Sequence, residues 1–184
     1  MRAAASMTLR EHGPEVFGFL VALHKDPDLA DDAFSVFAER LWRSFGAFEW
    51  RCSVRTWCYL LARNASTQVL REEARRARGA VPLTGLGEVE ELAARIRTET
   101  LSVLRTEKRT AFQIMRDELP EEDRMLLILR VDRQLAWRDV ARVLASGSDE
   151  LAEDAITQQA ARLRKRFQLV RERLRALGKE RGLL

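Results

Sequence analysis

The chain has 184 residues, of which 46% are hydrophobic and 33% are charged, and this composition excludes an extended disordered protein. No apolar run approaches the roughly 18 residues that cross a bilayer. Residues 1–13 lack the apolar core of a secretion signal, so we expect a cytoplasmic protein without membrane insertion. The net charge of +4 favours an anionic partner.

The first half of the chain predicts consecutive helices. Residues 14–24 place Val16, Leu20 and Leu23 on one face, and Asp28 is the predicted N-cap of the next helix. That helix has an apolar stripe at steps of three and four, formed by Ala30, Ala33, Phe34, Phe37 and Leu41. Its other face carries Asp31, Asp32, Ser35, Glu39 and Arg43.

An unusually aromatic loop at residues 45–51 separates this helix from the next one. Ser53 is the predicted N-cap of the following helix. The apolar stripe of that helix comprises Val54, Trp57, Cys58, Leu61 and Ala65. We expect helix to continue to Arg78 through a basic cluster of Arg71, Arg75, Arg76 and Arg78.

Glycine and proline between Gly79 and Gly87 predict a domain boundary. The weak apolar stripe of residues 88–118 indicates a loosely packed, charged connector. We therefore expect an all-α chain with one helical domain at 1–78, a linker at 79–110 that lets the domains change separation, and a second helical domain at 111–184.

The second domain begins with a predicted core stripe of Phe112, Met115 and Leu119. Residues 125–129 could form a buried strand by composition, but the acidic residues before them and Arg130 favour a buried helix. A short amphipathic helix at 135–145, a polar break and a last helix from about Asp154 to Leu177 follow, with Gly178 as the expected C-terminal cap.

The last two helices can form a helix-turn-helix, in which the second helix enters the major groove. Gln158, Gln159 and Arg162 are the residue types that contact base edges. Arg164, Lys165 and Arg166 are suited to phosphate contacts. A solvated basic face on a packing helix explains the same spacing equally well, and the sequence pattern leaves both interpretations open.

Four segments resemble one family. Residues 28–42 look like the polymerase-binding helix of extracytoplasmic-function sigma factors, a branch of the sigma-70 family. Residues 54–65 resemble that family's next helix, with Arg-x-Trp followed by Ala-Arg-Asn. Residues 119–124 and 135–144 are similar to the start of the family's fourth region and to its first helix-turn-helix helix.

The resemblance implies a sigma region 2 domain, a sigma region 4 domain and no cofactor. Core RNA polymerase would be contacted through its beta-prime clamp helices and its beta flap. Asp31, Asp32, Ser35 and Glu39 would lie on the surface that docks on the clamp helices. The resemblance also suggests an anti-sigma factor that holds the protein inactive until a signal arrives.

Promoter DNA is the second partner that the resemblance implies. Residues 45–68 would open the minus-10 element and hold its unpaired bases through Phe48, Trp50, Arg51, Arg55 and Asn64. Arg71, Arg75 and Arg76 would contact duplex backbone, and the C-terminal domain would read the minus-35 element. Trp57 lies on the apolar stripe and is expected in the core, whereas Phe48 and Trp50 could equally fill a core.

The sequence departs from the family pattern at several positions. Ser35 stands where an acidic residue is usual, and Ala136 replaces a hydroxyl cap. The turn at 145–157 is longer than usual. Ala160 and Ala161 occupy positions where the recognition helix usually offers polar or basic side chains.

Two other functions fit parts of the sequence. A helix-turn-helix regulator that is not a polymerase subunit explains the basic C-terminus but not the aromatic loop. A helical adaptor without DNA binding is the other alternative. An enzyme is not expected, because there is no P-loop, dinucleotide glycine motif or nucleophile elbow. Cys52 and Cys58 fit neither a redox pair nor a zinc motif, and both are expected to face a core.

Overall fold

The computed structural model describes residues 2–76, 87–106, 111–145 and 152–183. Within these ranges the chain forms eight α-helices and no β-strand. The all-α prediction is therefore confirmed. The helices belong to two compact units, Met1–Thr106 (unit 1) and Glu107–Leu184 (unit 2).

Helix α1 spans Arg2–His24 and begins well before the predicted segment 14–24. The additional turns are stabilised by burial, because Ala5 and Leu9 are each only 1% exposed. The helix continues through Pro14. The predicted face of Val16, Leu20 and Leu23 is buried.

Helix α2 spans Pro27–Ser44 and carries the predicted apolar stripe into the core. Its N-cap is Asp26, so the prediction of Asp28 as the cap is wrong. The Asp26 carboxylate accepts a hydrogen bond from the Asp28 backbone N–H at 2.9 Å. Pro27 occupies the first helical turn, where its missing N–H has no helical partner to lose.

Helix α3 spans Val54–Arg76 and follows a short 3-10 turn at Phe45–Ala47. The predicted Ser53 cap is confirmed, since its hydroxyl oxygen accepts from the Thr56 backbone N–H at 3.0 Å. Cys58, Tyr59 and Ala62 are fully buried in the core that α1, α2 and α3 share. The predicted end of this helix at Arg78 lies outside the described residues.

Helix α4 spans Gly87–Thr106, where the sequence predicted a loose linker, and it belongs to unit 1. It packs against α1 and α2 through Val89, Ala93 and Ile96, which are 5%, 1% and 5% exposed. A Cβ atom on Gly13 would lie only 2.8 Å from the Ile96 Cδ1 atom, so glycine permits this close approach. The linker prediction differs from the structure because Ala93 is buried against the neighbouring helices. Alanine is too small to stand out as part of an apolar stripe in the sequence.

Unit 2 contains α5 (Ala111–Asp117), α6 (Glu121–Leu127), α7 (Trp137–Leu144) and α8 (Glu153–Glu180). A π-helical turn at Ile128–Asp132 extends α6, so residues 125–129 are helical as predicted and not a strand. One core cluster joins α5, α6 and α8 and consists of Met115, Leu119, Leu127, Val170 and Leu174. Phe112, predicted in the first core stripe, is 36% exposed.

The last helix ends later than the sequence indicated. Gly178 is buried inside α8, so the prediction that it caps the helix is wrong. Gly182 instead adopts a left-handed conformation with φ of 64°. The Leu183 N–H donates to the Gly178 carbonyl at 2.9 Å, which closes the C-terminus in the manner of a Schellman motif.

Candidate nucleic-acid interface

The aromatic loop is built around Trp57 of α3. Phe48 stacks on Trp57 with ring centroids 4.5 Å apart and an interplanar angle of 23°. Phe45 contacts the same ring edge-on at 6.0 Å. Phe48 and Trp57 are both half-buried, so Phe48 belongs to the support of the loop and Trp57 lies at the margin of the core.

Trp50, in the same loop, is exposed, in contrast to the half-buried Phe48. Its side chain is 70% exposed, although the Phe48 ring lies only 4.9 Å away. Its backbone has φ of 60°, a left-handed conformation that is costly for a bulky residue. The loop therefore presents to solvent a large π-surface of the kind on which bases stack.

The two arginines that flank this loop differ in their partners. Arg51 is exposed and forms an ion pair with Glu49 at 2.8 Å. Arg55 forms a bidentate ion pair with Glu15 of α1, with Nε 3.0 Å from Oε2. The hydrogen bonds that Arg55 donates to the Glu15 carboxylate raise the pKa of Arg55, and the guanidinium lies 5.6 Å from the centroid of the Tyr59 ring. Arg55 thus ties α3 to α1.

The remaining predicted DNA contacts of unit 1 lie further along α3. Asn64 is half-buried and accepts a hydrogen bond from Arg63 at 3.4 Å. Arg71 is exposed, and no ion pair to it occurs among the described residues. The side chains of Arg75 and Arg76 and all of Arg78 lie outside the described residues.

The polar face of α2 is partly covered by α4. Arg97 pairs with Asp31 at 2.6 Å from Nε to Oδ1 and donates to the Ser35 hydroxyl at 2.6 Å. Burial raises the pKa of the Asp31 carboxyl, Arg97 opposes that rise and Asp32 adds to it. Asp32 is exposed, and Glu39 pairs with Arg43 at 2.8 Å.

Helices α7 and α8 are joined by ion pairs and by an aromatic contact. Glu153, in the first turn of α8, forms ion pairs with Arg138 and with Arg142, the latter at 2.7 Å. Trp137, at the start of α7, meets Phe167 edge-on at 5.3 Å. The predicted pair of helices is therefore present. Residues 146–151 of the lengthened turn lie outside the residues that the structure describes.

The predicted base-reading residues fall on the N-terminal half of α8. Gln158 and Arg162 are exposed, and Gln159 is half-buried. Ala160 is 2% exposed and packs inward, whereas Ala161 faces solvent. The alanine at position 160 is therefore a core residue of unit 2.

The predicted phosphate-binding residues of α8 divide into two groups. Arg164 and Lys165 are exposed, and Arg164 lies 5.9 Å from the centroid of the Trp137 ring. Arg166 pairs with Asp123 at 2.6 Å and with Glu122 at 2.7 Å. Burial lowers the pKa of Arg166, but the hydrogen bonds to these carboxylates outweigh burial and raise it. Arg166 therefore fastens α8 to α6.

Sequence reasoning missed the acidic partners of these arginines and the whole contribution of Arg97. Glu15 lies 40 positions from Arg55, and Arg97 lies 62 positions from Ser35. No local spacing rule connects residues that far apart. For Glu153 there was a signal, because an acidic residue in the first helical turn is a familiar helix-start feature.

Several site classes are not represented among the described residues. No group of histidine, cysteine and acidic side chains there could hold a metal ion. Cys58 is buried, which raises the pKa of its thiol to about 12, and Cys52 is half-buried. None of the described helices is long and apolar enough to span a membrane.

Residues 8–76 match the family model of sigma-70 region 2, which covers most of α1 and all of α2 and α3. Unit 1 therefore contains a sigma-70 region 2 domain. The match supports a sigma-70 family sigma factor, a class of transcription initiation factors that are not themselves enzymes. Such a domain implies binding to core RNA polymerase and promoter DNA. No curated protein and no solved structure matches the sequence significantly.

Proposed function

We propose that this chain is an extracytoplasmic-function sigma factor, a two-domain subunit that directs RNA polymerase to specific promoters. The match of residues 8–76 to sigma-70 region 2 is the observation that carries this proposal. In this account unit 1 is the polymerase-docking and minus-10 domain. Unit 2 is the region 4 domain that reads the minus-35 element and contacts the beta flap.

Polymerase docking is assigned to the polar face of α2. Asp32 is exposed there, and Asp31, Ser35 and Glu39 are each partly accessible. An acidic helix face suits a basic partner surface, because charge complementarity speeds encounter and fixes the register of the complex. The clamp helices of the beta-prime subunit are the proposed partner, and an anti-sigma factor that covers this face would keep the protein inactive.

Capture of unpaired minus-10 bases is assigned to the aromatic loop and the start of α3. The exposed ring of Trp50 supplies a stacking surface, and the Phe48 ring contacts it at 4.9 Å. Arg51, Arg55 and Asn64 lie on the segment that follows, although Arg55 is held by Glu15. Arg71 and Arg75 would contact the phosphates of the adjoining duplex, which makes binding salt-dependent.

Recognition of the minus-35 element is assigned to α7 and α8. Gln158 and Arg162 are exposed near the N-terminal end of α8, the position from which a recognition helix contacts base edges. Gln159 is half-buried beside them, while Arg164 and Lys165 would provide phosphate contacts. Arg166 would act on DNA binding indirectly, because its carboxylate partners keep α8 on α6.

Holoenzyme formation tests the proposal. The full chain should co-elute with core RNA polymerase, and the pair should bind a forked promoter fragment that neither component binds alone. Asp32→Lys should weaken binding to core polymerase by about tenfold or more, because it reverses an exposed charge on the docking face. Glu11→Lys is the matched control, because Glu11 is an exposed acidic residue of α1 and not of α2, and it should leave binding within about threefold.

Failure of the wild-type chain to bind core polymerase would contradict the proposal. Specific promoter binding by the chain without polymerase would favour an ordinary helix-turn-helix regulator instead. Equal losses in Asp32→Lys and Glu11→Lys would contradict docking on this face of α2.

A further inference from the structure

Helix α4 lies on the part of α2 to which polymerase docking is assigned. Arg97 reaches two of the assigned residues, pairing with Asp31 and donating to the Ser35 hydroxyl, each at 2.6 Å. The Arg97 side chain is 16% exposed and that of Asp31 is 46% exposed. An incoming protein surface therefore finds Asp31 and Ser35 already engaged by a guanidinium from the same chain.

The opposite edge of α4 is anchored on α1. Ile96, the residue before Arg97, fills the space above Gly13, where even a methyl group would approach its Cδ1 atom to 2.8 Å. Together with Ile96, Val89 and Ala93 form a narrow apolar strip that is buried against the other helices of unit 1. Helix α4 is therefore held in place by a buried apolar strip and by the contacts of Arg97 with α2.

The cation does not fully compensate the carboxylate that it covers. The pKa of Asp31 is raised, because burial and the neighbouring charges of Asp32 and Asp28 together outweigh the Arg97 guanidinium, which lowers it. The charged form of Asp31 is therefore less favourable under α4 than in water. A partner surface that stabilises the charged Asp31 carboxylate better than Arg97 does can therefore replace the Arg97 contact.

We propose that α4 is an internal cover of the polymerase-docking surface, and that core polymerase must displace it to engage Asp31 and Ser35. The inference rests on the proposed function. The clamp-helix surface would take over the role of Arg97 by presenting cationic side chains to the same acidic face. Helix α4 then acts as an intramolecular competitor, and the apparent dissociation constant equals the intrinsic one divided by the fraction of molecules with α4 detached.

Two substitutions detach α4 without altering any residue of the docking surface. Arg97→Ala removes the cation, and Ile96→Glu places a charge in the apolar strip against α1. Arg95→Ala is the matched control, because Arg95 is an exposed arginine of the same helix to which no ion pair occurs among the described residues. Circular dichroism and thermal melting establish that each variant keeps its helical fold.

The readout is the affinity of the full-length chain for core polymerase, measured by titration of a labelled chain. We expect Arg97→Ala to bind about threefold to tenfold more tightly than wild type, since the pair that it removes has the strength of a partly exposed ion pair. Ile96→Glu should bind at least as tightly as Arg97→Ala. Arg95→Ala should match wild type.

Hydrogen exchange gives an independent readout on the wild-type complex. Backbone amides of residues 89–101 should exchange faster when core polymerase is bound, because a displaced helix loses its packing. If these amides stay equally protected and Arg97→Ala binds no more tightly than wild type, polymerase docks beside α4 and the inference is wrong. If neither wild type nor any variant binds core polymerase, the proposed function itself fails.

Discussion

Phe48 stacks on Trp57 with ring centroids 4.5 Å apart, and this pair fixes the loop that exposes Trp50. The stacked ring of Phe48 is half-buried, whereas the neighbouring ring of Trp50 is exposed. A ring that is 70% exposed contributes little to folding, so its position requires another explanation. In the proposed account that explanation is stacking with an unpaired promoter base.

Replacing the exposed ring should therefore affect DNA and spare the fold. Trp50→Ala should lower affinity for a promoter fork with unpaired minus-10 bases by about fivefold to a hundredfold, the range of one lost stacking contact. The free energy of unfolding, measured by thermal denaturation, should change by less than about 0.5 kcal/mol. Met7→Ala, which truncates another exposed side chain of unit 1, is the control, and equal fork affinities in both variants would contradict the assignment.

The left-handed backbone at position 50 gives a second prediction. Trp50→Gly and Trp50→Ala both lack the ring, so they differ chiefly in the cost of a φ of 60°. Because glycine adopts positive φ without steric cost, Trp50→Gly should be more stable than Trp50→Ala by about 1 kcal/mol. Urea denaturation of the two variants measures this difference, and an alanine variant at least as stable as the glycine variant would show that the loop is not strained there.

Neighbouring basic residues of α8 should separate structural from DNA-binding roles. Arg166→Ala leaves the Asp123 carboxylate, which is 12% exposed, with Arg173 at 4.0 Å as its one ion-pair partner among the described residues, and should destabilise the fold by about 1–2 kcal/mol. Lys165→Ala should leave stability within about 0.5 kcal/mol. It should reduce the slope of log affinity against log salt by about 1.

Denaturation curves together with DNA binding at several salt concentrations check both variants. A stable Arg166→Ala protein with a reduced salt slope would show that Arg166 contacts phosphate directly. An unchanged dependence of affinity on salt in Lys165→Ala would show that Lys165 does not contact DNA phosphate.

The buried thiol of Cys58 makes stability depend on pH in alkaline solution. Its pKa is raised from 9.0 to about 12, so the folded state keeps a proton that the unfolded state releases as pH rises above 9.0. The stabilisation is therefore complete below that pH, and up to about 1.4 kcal/mol is lost per pH unit between the two values.

Denaturation of wild type and of Cys58→Ala at about pH 8 and about pH 10.5 isolates this effect, because all other titrating groups are shared. The free energy of unfolding should fall more steeply in wild type than in the variant. Parallel decreases would show that the thiol titrates equally in the folded and unfolded chains.

Local rules were sufficient for much of the fold. Apolar residues at steps of three and four located α2 and α3, and Ser53 was recognised as a cap because its bond reaches only three residues along the chain. The cap of α2 was misplaced by two positions, at Asp28, because Asp26 and Asp28 are chemically equal and only the backbone geometry selects Asp26. The C-terminal cap of α8 was wrongly predicted at Gly178, because a glycine can also lie buried inside a helix, as Gly178 does.

The candidate site was less accessible to sequence reasoning. The residue types of the aromatic loop were recognised, but the outward ring of Trp50 and the inward ring of Phe48 were indistinguishable by pattern. Arg55 and Arg166 were expected to face DNA, whereas Glu15 and Asp123 hold them in the structure. Helix α4 was taken for a linker in part because one of its contacts with α2 is made by Arg97, a charged residue that carries no hydrophobic signal.

Reconstituted transcription with core RNA polymerase and a library of promoter fragments tests the central claim most directly. The proposed function predicts that this chain directs initiation at a subset of fragments that share two separated sequence elements, and that Trp50→Ala lowers their yield. Transcription that is identical with and without the chain across the whole library would contradict it.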